Sequence, residues 1–225
     1  MSQIHIDNVK KSFRLGSVEV QALNGVSLSI QRGEFLALAG PSGSGKTTLL
    51  NIIGCLESPT DGRVFIENTD VATLSDNALS DLRAKNIGFV FQNFNLLPVL
   101  TALENVEYPL LPRGGKSASK RNLAERVLHM VGLTEFAHHT PSELSGGQRQ
   151  RVAIARTIVA NPRIILADEP TANLDQKTGS DILRLIKSIN KSLNTTIVFS
   201  THDPRIIELA ERVIRLADGV IVEDK

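Results

Sequence analysis

The chain has 225 residues and a formal net charge of +1, with 41% hydrophobic and 22% charged residues. This composition is typical of a folded globular protein and excludes the disordered and membrane classes. The nearly neutral charge provides no electrostatic footprint for nucleic acid, so we expect no nucleic-acid partner. The longest apolar runs, 35–39 and 164–167, are far shorter than the ~20 residues that cross a bilayer.

The compartment is indicated by the cysteine count and by the N-terminus. Cys55 is the only cysteine, which excludes an internal disulfide and suits a reducing environment. We expect Cys55 to be a small packed hydrophobe. Residues 1–7 lack the basic and apolar regions of a secretory signal, so the predicted location is the cytoplasm.

The first thirty residues predict a small antiparallel sheet. Apolar runs at 4–6, 18–23 and 26–30 have the composition of strands, and a later run at 64–66 is expected to join them. Elsewhere, short apolar runs alternate with amphipathic stretches, which predicts an α/β fold with a mostly parallel sheet covered by helices.

A strand, a glycine-rich loop and a helix follow one another between residues 35 and 53. The buried-looking strand 35–39 leads into the loop, and 48–53 begins an apolar helix. The loop reads Gly40-Pro41-Ser42-Gly43-Ser44-Gly45-Lys46-Thr47, which matches the phosphate-binding pattern G-x-x-x-x-G-K-[ST]. Its glycines let backbone N–H groups surround an anion, while Lys46 is suited to the β- and γ-phosphates and Thr47 to Mg²⁺. The sequence therefore predicts nucleoside triphosphate binding.

Residues 74–132 are predicted to be mainly helical, with one core strand at 87–91. Leu123, Val127, Leu128 and Val131 recur at helical spacing, and Gly132 is placed to end that helix. Gln92 follows the strand and offers an amide oxygen to the ligand crevice.

A basic cluster in this part of the chain lacks interleaved aromatic residues, so it predicts a solvated helix face rather than a base-stacking surface. Its members are Arg113, Lys116, Lys120, Arg121 and Arg126.

A second glycine-bearing helix start lies at residues 144–148, with the sequence Leu144-Ser145-Gly146-Gly147-Gln148. Ser145 is a good N-cap for the amphipathic stretch 149–156. The N-terminus of a helix binds anions, and the first loop already serves one nucleotide. This second site is therefore available to the nucleotide of another molecule.

Two further core strands end in polar residues. The strand 164–168 ends in Asp168, and Glu169 follows it. Asp168 is suited to be a metal ligand, and Glu169 to be the general base for an attacking water. The strand 196–200 is followed by His202, for which two interpretations stay open: contact with the γ-phosphate, or a structural histidine. Asp218-Gly219 predicts a tight turn between strands at 213–216 and 220–222.

The pentapeptide 144–148 resembles the defining signature of the ATP-binding-cassette (ABC) ATPase family, and the other motifs stand in the family's order. The resemblance covers nearly the whole chain. It implies a P-loop NTPase (RecA-like) core with an antiparallel β-subdomain and an inserted α-helical subdomain. We place the core and β-subdomain at about 1–92 and 160–225, and the helical subdomain at about 93–159.

The resemblance also implies roles for individual residues, with ATP and Mg²⁺ as ligands. Residues 40–47 correspond to the Walker A loop, with Thr48 beside it, and Asp168 and Glu169 to the Walker B pair. Gln92 corresponds to the Q-loop, His202 to the switch histidine and 173–175 to the D-loop. The implied catalytic residues are Lys46, Glu169 and His202; the implied metal ligands are Thr47, Gln92 and Asp168.

Phe13 resembles the aromatic residue that stacks on adenine, a position that is often tyrosine in the family. The alternative interpretation of Phe13 is a core aromatic in a strand.

Within the family, the chain is most similar to the lipoprotein-release and macrolide-export group. The similarity lies in 13–23, in 91–98 and in 101–106, although that group usually has Gly where this chain has Ala172. It implies transmembrane permease partners that dock near 94–98 and hold the chain at the cytoplasmic face of the cell membrane. It also implies a head-to-tail homodimer, in which residues 40–47 of one copy and Ser145–Gln148 of the other enclose each ATP.

Two alternatives share this ATPase chemistry. One is a soluble ABC-type ATPase acting on DNA or ribosomes, whose members usually carry coiled-coil insertions or tandem cassettes that this chain lacks. The other is a cell-division type of regulator that signals to a membrane complex. A GTPase is disfavoured because Asn190-Lys191-Ser192-Leu193 departs from the guanine motif N-K-x-D.

Overall fold

The structure is a computed structural model that describes residues 2–16, 18–112 and 114–225. Ser17, in the segment that resembles the transporter group, and Arg113, in the basic cluster, lie outside the described residues. The strands are β1 (Ile4–Leu15), β2 (Val18–Ile30), β3 (Phe35–Ala39), β4 (Asp61–Ile66), β5 (Thr69–Asp70), β6 (Ile87–Val90), β7 (Ile164–Asp168), β8 (Thr196–Thr201), β9 (Arg212–Ala217) and β10 (Val220–Asp224). The α-helices are α1 (Lys46–Ile53), α2 (Asp76–Asn86), α3 (Ala102–Glu107), α4 (Ser117–Met130), α5 (Gly146–Ile158), α6 (Gln176–Leu193) and α7 (Pro204–Leu209).

The central sheet has the order β10-β9-β3-β8-β7-β6, in which β10 is antiparallel to β9 and the other neighbouring pairs are parallel. Asp168 of β7 pairs with Ser200 of β8, and Ala39 of β3 pairs with Thr201. The carboxyl ends of β3, β7 and β8 therefore lie side by side, at the edge where α/β sheets bind ligands. The predicted α/β fold is confirmed.

Both faces of the sheet are buried at its central strands β3, β7 and β8, which explains why these strands lack polar alternation. Phe35 and Ala37 of β3 face one hydrophobic cluster, to which α3, α4, α5 and α6 contribute. Leu36 and Leu38 face the other cluster, which includes α1 and the side sheet. Successive residues of a strand point to opposite faces, so one five-residue strand serves two cores.

The side sheet has the order β2-β1-β4-β5. The prediction of separate strands at 18–23 and 26–30 was wrong, because β2 runs without interruption through both. Val9 pairs with Val26 and Lys10 pairs with Asn24, so Gly25 is the extra residue of a β-bulge. Gly25 has φ +80°, and the bulge accommodates this extra residue without ending the pairing of β1 with β2.

The helical middle of the chain agrees with the predicted apolar stripe. Val127, Leu128 and Val131 are buried, and Gly132 follows α4 with φ +73°. In the basic cluster, Lys116 and Arg126 are exposed, and Lys120 donates to the carbonyl of Leu111. Arg121 pairs with Glu107 and Glu125.

Cys55 packs against the cluster that contains α1, and burial raises the pKa of its thiol to about 11. A thiol that stays protonated is a poor nucleophile, which agrees with the predicted structural role. Among the described residues, no helix combines the length and the apolar character that a membrane crossing requires.

Candidate active site

The glycine-rich loop connects β3 to α1, as the pattern predicts. It lines a cavity of about 560 Å³ at the carboxyl edge of the central sheet. The cavity is lined by Ala22, Ser42, Gly43, Gly45, Lys46, Thr47, Thr48, Gln92, Asp168, Glu169 and His202. The structure therefore brings together the predicted residues from four separate segments of the chain. Its volume falls within the ~300–1,000 Å³ of small-molecule pockets.

The loop owes its shape to Gly45, which caps α1 with φ +99°. A Cβ at this position would lie 2.5 Å from the carbonyl oxygen of Ala22. Gly43 has a similar backbone conformation, φ +79°, but its Cβ would meet no atom within 4 Å. Alanine at position 43 would therefore introduce backbone strain alone, whereas alanine at position 45 would introduce both backbone strain and steric overlap.

We predict that Gly45→Ala destabilises the nucleotide-free protein more than Gly43→Ala does. Left-handed backbone costs ~1–2 kcal/mol for a non-glycine residue, and overpacking adds ~1–3 kcal/mol at Gly45 alone. At ~2–4 °C per kcal/mol, Tm should fall by about 2–8 °C for Gly43→Ala and by about 4–20 °C for Gly45→Ala. Thermal unfolding followed by circular dichroism measures both, and equal shifts would show that the contact with Ala22 is unimportant.

Lys46 is buried, and its ammonium group points back onto the loop. Nζ donates to the carbonyl oxygen of Gly40 at 2.8 Å and to that of Pro41 at 2.7 Å. An ammonium group has three donors. These two bonds hold Lys46 beside the cavity and leave a third donor suited to a phosphate oxygen.

The surroundings of two hydroxyl groups of the loop bear on whether the cavity can hold Mg²⁺ and phosphate. Thr47 Oγ1 lies 3.2 Å from Asp168 Oδ1 and 3.4 Å from Oδ2. The described residues contain no cluster of three His, Cys, Asp or Glu side chains able to hold a metal. A hydroxyl and one carboxylate suit Mg²⁺, which completes its shell with substrate phosphates and water. Ser44 Oγ is buried without a hydrogen-bond partner among the described residues, although Ser44 is not among the residues that line the cavity.

Glu169 and His202 meet although 33 positions separate them. His202 Nδ1 lies 2.7 Å from Glu169 Oε1. The side chain of Glu169 is 18% exposed and that of His202 is 73% exposed. Glu169 has φ +47°, and its N–H donates to the carbonyl of Ser200 at 2.9 Å. Left-handed backbone at a non-glycine residue is strained, and such strain is concentrated at functional sites.

Gln92 follows β6 and lines the cavity, while its main chain is held from another loop. Asn173 Nδ2 donates to the carbonyl oxygen of Gln92 at 2.9 Å. Phe94 and Asn95 have φ +60° and +50°, and their carbonyl oxygens both accept from the guanidinium of Arg156 on α5. No sequence pattern indicates this contact of Arg156, because it joins residues more than sixty positions apart.

The pentapeptide forms the predicted helix start. Ser145 Oγ accepts from the N–H of Gln148 at 3.3 Å, and the Ser145 N–H donates to Gln148 Oε1 at 2.8 Å. This capping box confirms Ser145 as the N-cap of α5. Ser145, Gly146, Gly147 and Gln148 are absent from the lining of the cavity. Within one chain, the helix start at 144–148 therefore does not contribute to the cavity that the first glycine-bearing loop lines.

Phe13 lies on β1, half-buried and outside both core clusters. Lys11 Nζ lies 5.0 Å from the centroid of its ring, and the same ammonium donates to the carbonyl of Ser58 at 2.8 Å. Phe13 is not among the residues that line the cavity. Its position on an open hairpin does not match the alternative interpretation as a core aromatic.

The comparison with known proteins begins with a family model described as ABC transporter, which matches residues 23–172. The chain is 50% identical over 226 residues to the uncharacterized ABC transporter ATP-binding protein MJ0796 of Methanocaldococcus jannaschii. That alignment covers 99% of this chain and 96% of the relative. A dimeric structure of MJ0796 bound to ADP and Pi has a TM-score of 0.91 and 48% identity, and covers 99% and 97% of the two chains.

Other relatives carry functional names. The lipoprotein-releasing system ATP-binding protein LolD 1 of Rhodopseudomonas palustris is 46% identical, with 97% of each chain covered. The macrolide export ATP-binding/permease protein MacB of Syntrophobacter fumaroxidans is 47% identical over 98% of this chain, which spans 31% of MacB. These relatives confirm the resemblance that the motifs indicated. The chain belongs to the ABC transporter ATP-binding proteins, and it binds and hydrolyses ATP.

Proposed function

We propose that the chain is the motor subunit of a membrane transporter and that it hydrolyses ATP in a site shared by two copies of itself. The observation that carries the proposal is the separation of the two anion-binding helix starts. Five residues of the loop 40–47 line the cavity, whereas none of Ser145–Gln148 does. A head-to-tail pair brings the second helix start of one copy onto the cavity of the other.

In this proposal the loop holds the phosphates of ATP. Backbone N–H groups of the loop and the positive end of α1 face the anion, and Lys46 adds a localised charge. Thr47, Asp168 and Gln92 are the proposed ligands of Mg²⁺. When bound, Mg²⁺ neutralises charge on the phosphates. The adenine base is proposed to stack on Phe13, a half-buried residue of β1.

Glu169 is the proposed general base. Its carboxylate takes a proton from the attacking water, and His202 orients it through the contact of 2.7 Å between Nδ1 and Oε1. The partner copy supplies the second end of the site with Ser145, Gly146, Gly147 and Gln148. Their helix N-terminus stabilises the negative charge of the γ-phosphate, which draws the two copies together.

Coupling to a membrane partner is proposed for the segment 94–98. Val99, next to it, is 85% exposed, and Tyr108 and Leu111 nearby are also exposed apolar side chains. A permease that docks here would contact the main chain next to Gln92, which Arg156 ties to α5 through the carbonyls of Phe94 and Asn95. The names of LolD and MacB support partners of the lipoprotein-release or macrolide-export type, and hence a location at the cytoplasmic face of the cell membrane.

We propose that two subdomains carry these separate functions. The core and β-subdomain, about 1–92 and 160–225, bind and hydrolyse ATP. The helical subdomain, about 93–159, carries the docking segment and the second helix start.

The shared site is tested by cross-linking. In a background of Cys55→Ala and Glu169→Gln, the pair Ser42→Cys and Ser145→Cys should form a disulfide-linked dimer under oxidation with ATP and Mg²⁺. Each single cysteine variant is the matched control and should yield little dimer. A disulfide within one monomer, seen as a monomer band of altered mobility, would contradict the proposal because one copy would then enclose its own nucleotide.

A further inference from the structure

Arg205 connects two loops that the site uses, although it lines no part of the cavity. It lies in the first turn of α7 and donates from Nε and Nη2 to the carboxylate of Asp203, at 2.6–3.1 Å. Its Nη1 donates to the carbonyl oxygen of Gln176, the first residue of α6, at 2.8 Å. One planar guanidinium thus joins the start of α6 to the start of α7.

Asp203 extends this connection to the strand end that bears Glu169. Thr171 Oγ1 donates to Asp203 Oδ2 at 2.8 Å, and Thr171 is buried. Burial by itself would raise the pKa of Asp203, but hydrogen bonds from Arg205 and Thr171 outweigh it and hold the pKa below its ordinary value. The carboxylate is therefore charged and fully engaged at neutral pH.

The packing around Arg205 leaves it little freedom. A Cβ at Gly179 of α6 would lie 2.8 Å from Nη1 and 3.2 Å from Cζ of Arg205. The guanidinium thus lies flat against the backbone of α6, in a space that exists because residue 179 has no side chain. A planar fork with several donors suits this position, and a lysine ammonium does not.

The two joined loops carry the two partners of the reactive pair. Glu169 lies two residues before Thr171, and His202 lies immediately before Asp203. The His202 side chain is mostly exposed, and an exposed contact contributes little to holding two loops together. In the connection through Thr171, Asp203 and Arg205, Thr171 is buried and the other two side chains are 13% and 30% exposed, so it is better shielded from water than His202 is.

We propose that Arg205 is a positioning residue that sets the contact between His202 and Glu169 by fixing the loops that bear them. The inference rests on the proposed roles of Glu169 as base and His202 as its orienting partner. Arg205 is not among the residues that line the cavity, so it acts on turnover rather than on ATP binding.

Steady-state hydrolysis by the full chain tests this role through Arg205→Gln and Arg205→Lys. Small misplacements of catalytic groups cost up to ~100-fold in rate, so we expect kcat to fall by about tenfold for Arg205→Gln with KM changed less than about twofold. Arg205→Lys should recover only part of the rate. The control Arg184→Gln removes an exposed arginine of α6 and should leave kcat unchanged.

A double-mutant cycle separates positioning from general stability. In a His202→Ala background the loss caused by Arg205→Gln should largely disappear, because the contact it protects is already gone. A tenfold loss that persists in that background would overturn the inference and assign Arg205 to the fold alone. If Arg205→Gln does not fold, Thr171→Val takes its place, with a loss of about threefold that must likewise disappear.

The proposed function and this inference fail in different ways. If His202→Ala alone leaves kcat unchanged, the proposed role of His202 is wrong and the inference falls with it. If His202→Ala lowers kcat while Arg205→Gln has no effect, the proposed function stands and only the inference is overturned.

Discussion

Glu169→Gln is expected to lower ATP turnover by at least about 100-fold, the lower end of what a general base contributes. The amide keeps the size of the side chain and its hydrogen bond to His202, but it cannot accept a proton from water. Binding of ATP should be retained or tightened, because the substitution removes a negative charge beside the phosphates. Phosphate release measures turnover, and a fluorescent ATP analogue measures binding.

The same variant should accumulate as an ATP-bound dimer, because hydrolysis no longer reopens the pair. Light scattering with saturating ATP and Mg²⁺ should show twice the mass found without nucleotide. The matched control is Glu125→Gln, which removes an exposed carboxylate of α4 and should keep normal turnover. A monomeric Glu169→Gln protein at saturating ATP would refute the shared site.

Lys46→Ala is expected to have the second large effect, on binding rather than on chemistry alone. Hydrogen bonds to a charged group contribute ~1.5–3 kcal/mol, so affinity for ATP should fall by about 10- to 150-fold. The substitution also leaves the carbonyls of Gly40 and Pro41 without the donor that now holds them. Isothermal titration calorimetry measures the loss.

Its control is Lys85→Ala, which removes a lysine whose side chain is 74% exposed on α2. This variant should bind ATP as the unmodified chain does. The stabilisation of the fold by ATP offers a second measurement, since a ligand at free concentration c that binds the folded state raises the free energy of unfolding by RT ln(1 + c/Kd) and hence raises Tm. An unchanged shift of Tm by ATP in Lys46→Ala would contradict the assignment of the phosphate loop.

The local features of the chain are predictable from short stretches of residues. The loop 40–47, the N-cap at Ser145 and the helix end at Gly132 are each specified within a few neighbouring residues. The four core strands were recognisable because strands buried on both faces are short and uniformly apolar. Each of these features depends on turn geometry, capping or burial of a short segment, and such interactions are local in the chain.

Which of these segments come into contact depends on the topology of the folded chain. The strand order β3-β8-β7-β6 does not follow the chain, and it places the ends of β7 and β8 side by side, where Glu169 and His202 lie 2.7 Å apart. Three other features also depend on contacts between distant residues. They are the β-bulge at Gly25, the hydrogen bonds from Arg156 to the carbonyls of Phe94 and Asn95, and the hydrogen bond from Arg205 to the carbonyl of Gln176. Local propensity does not encode such contacts, because they form only when the central sheet has brought these segments together.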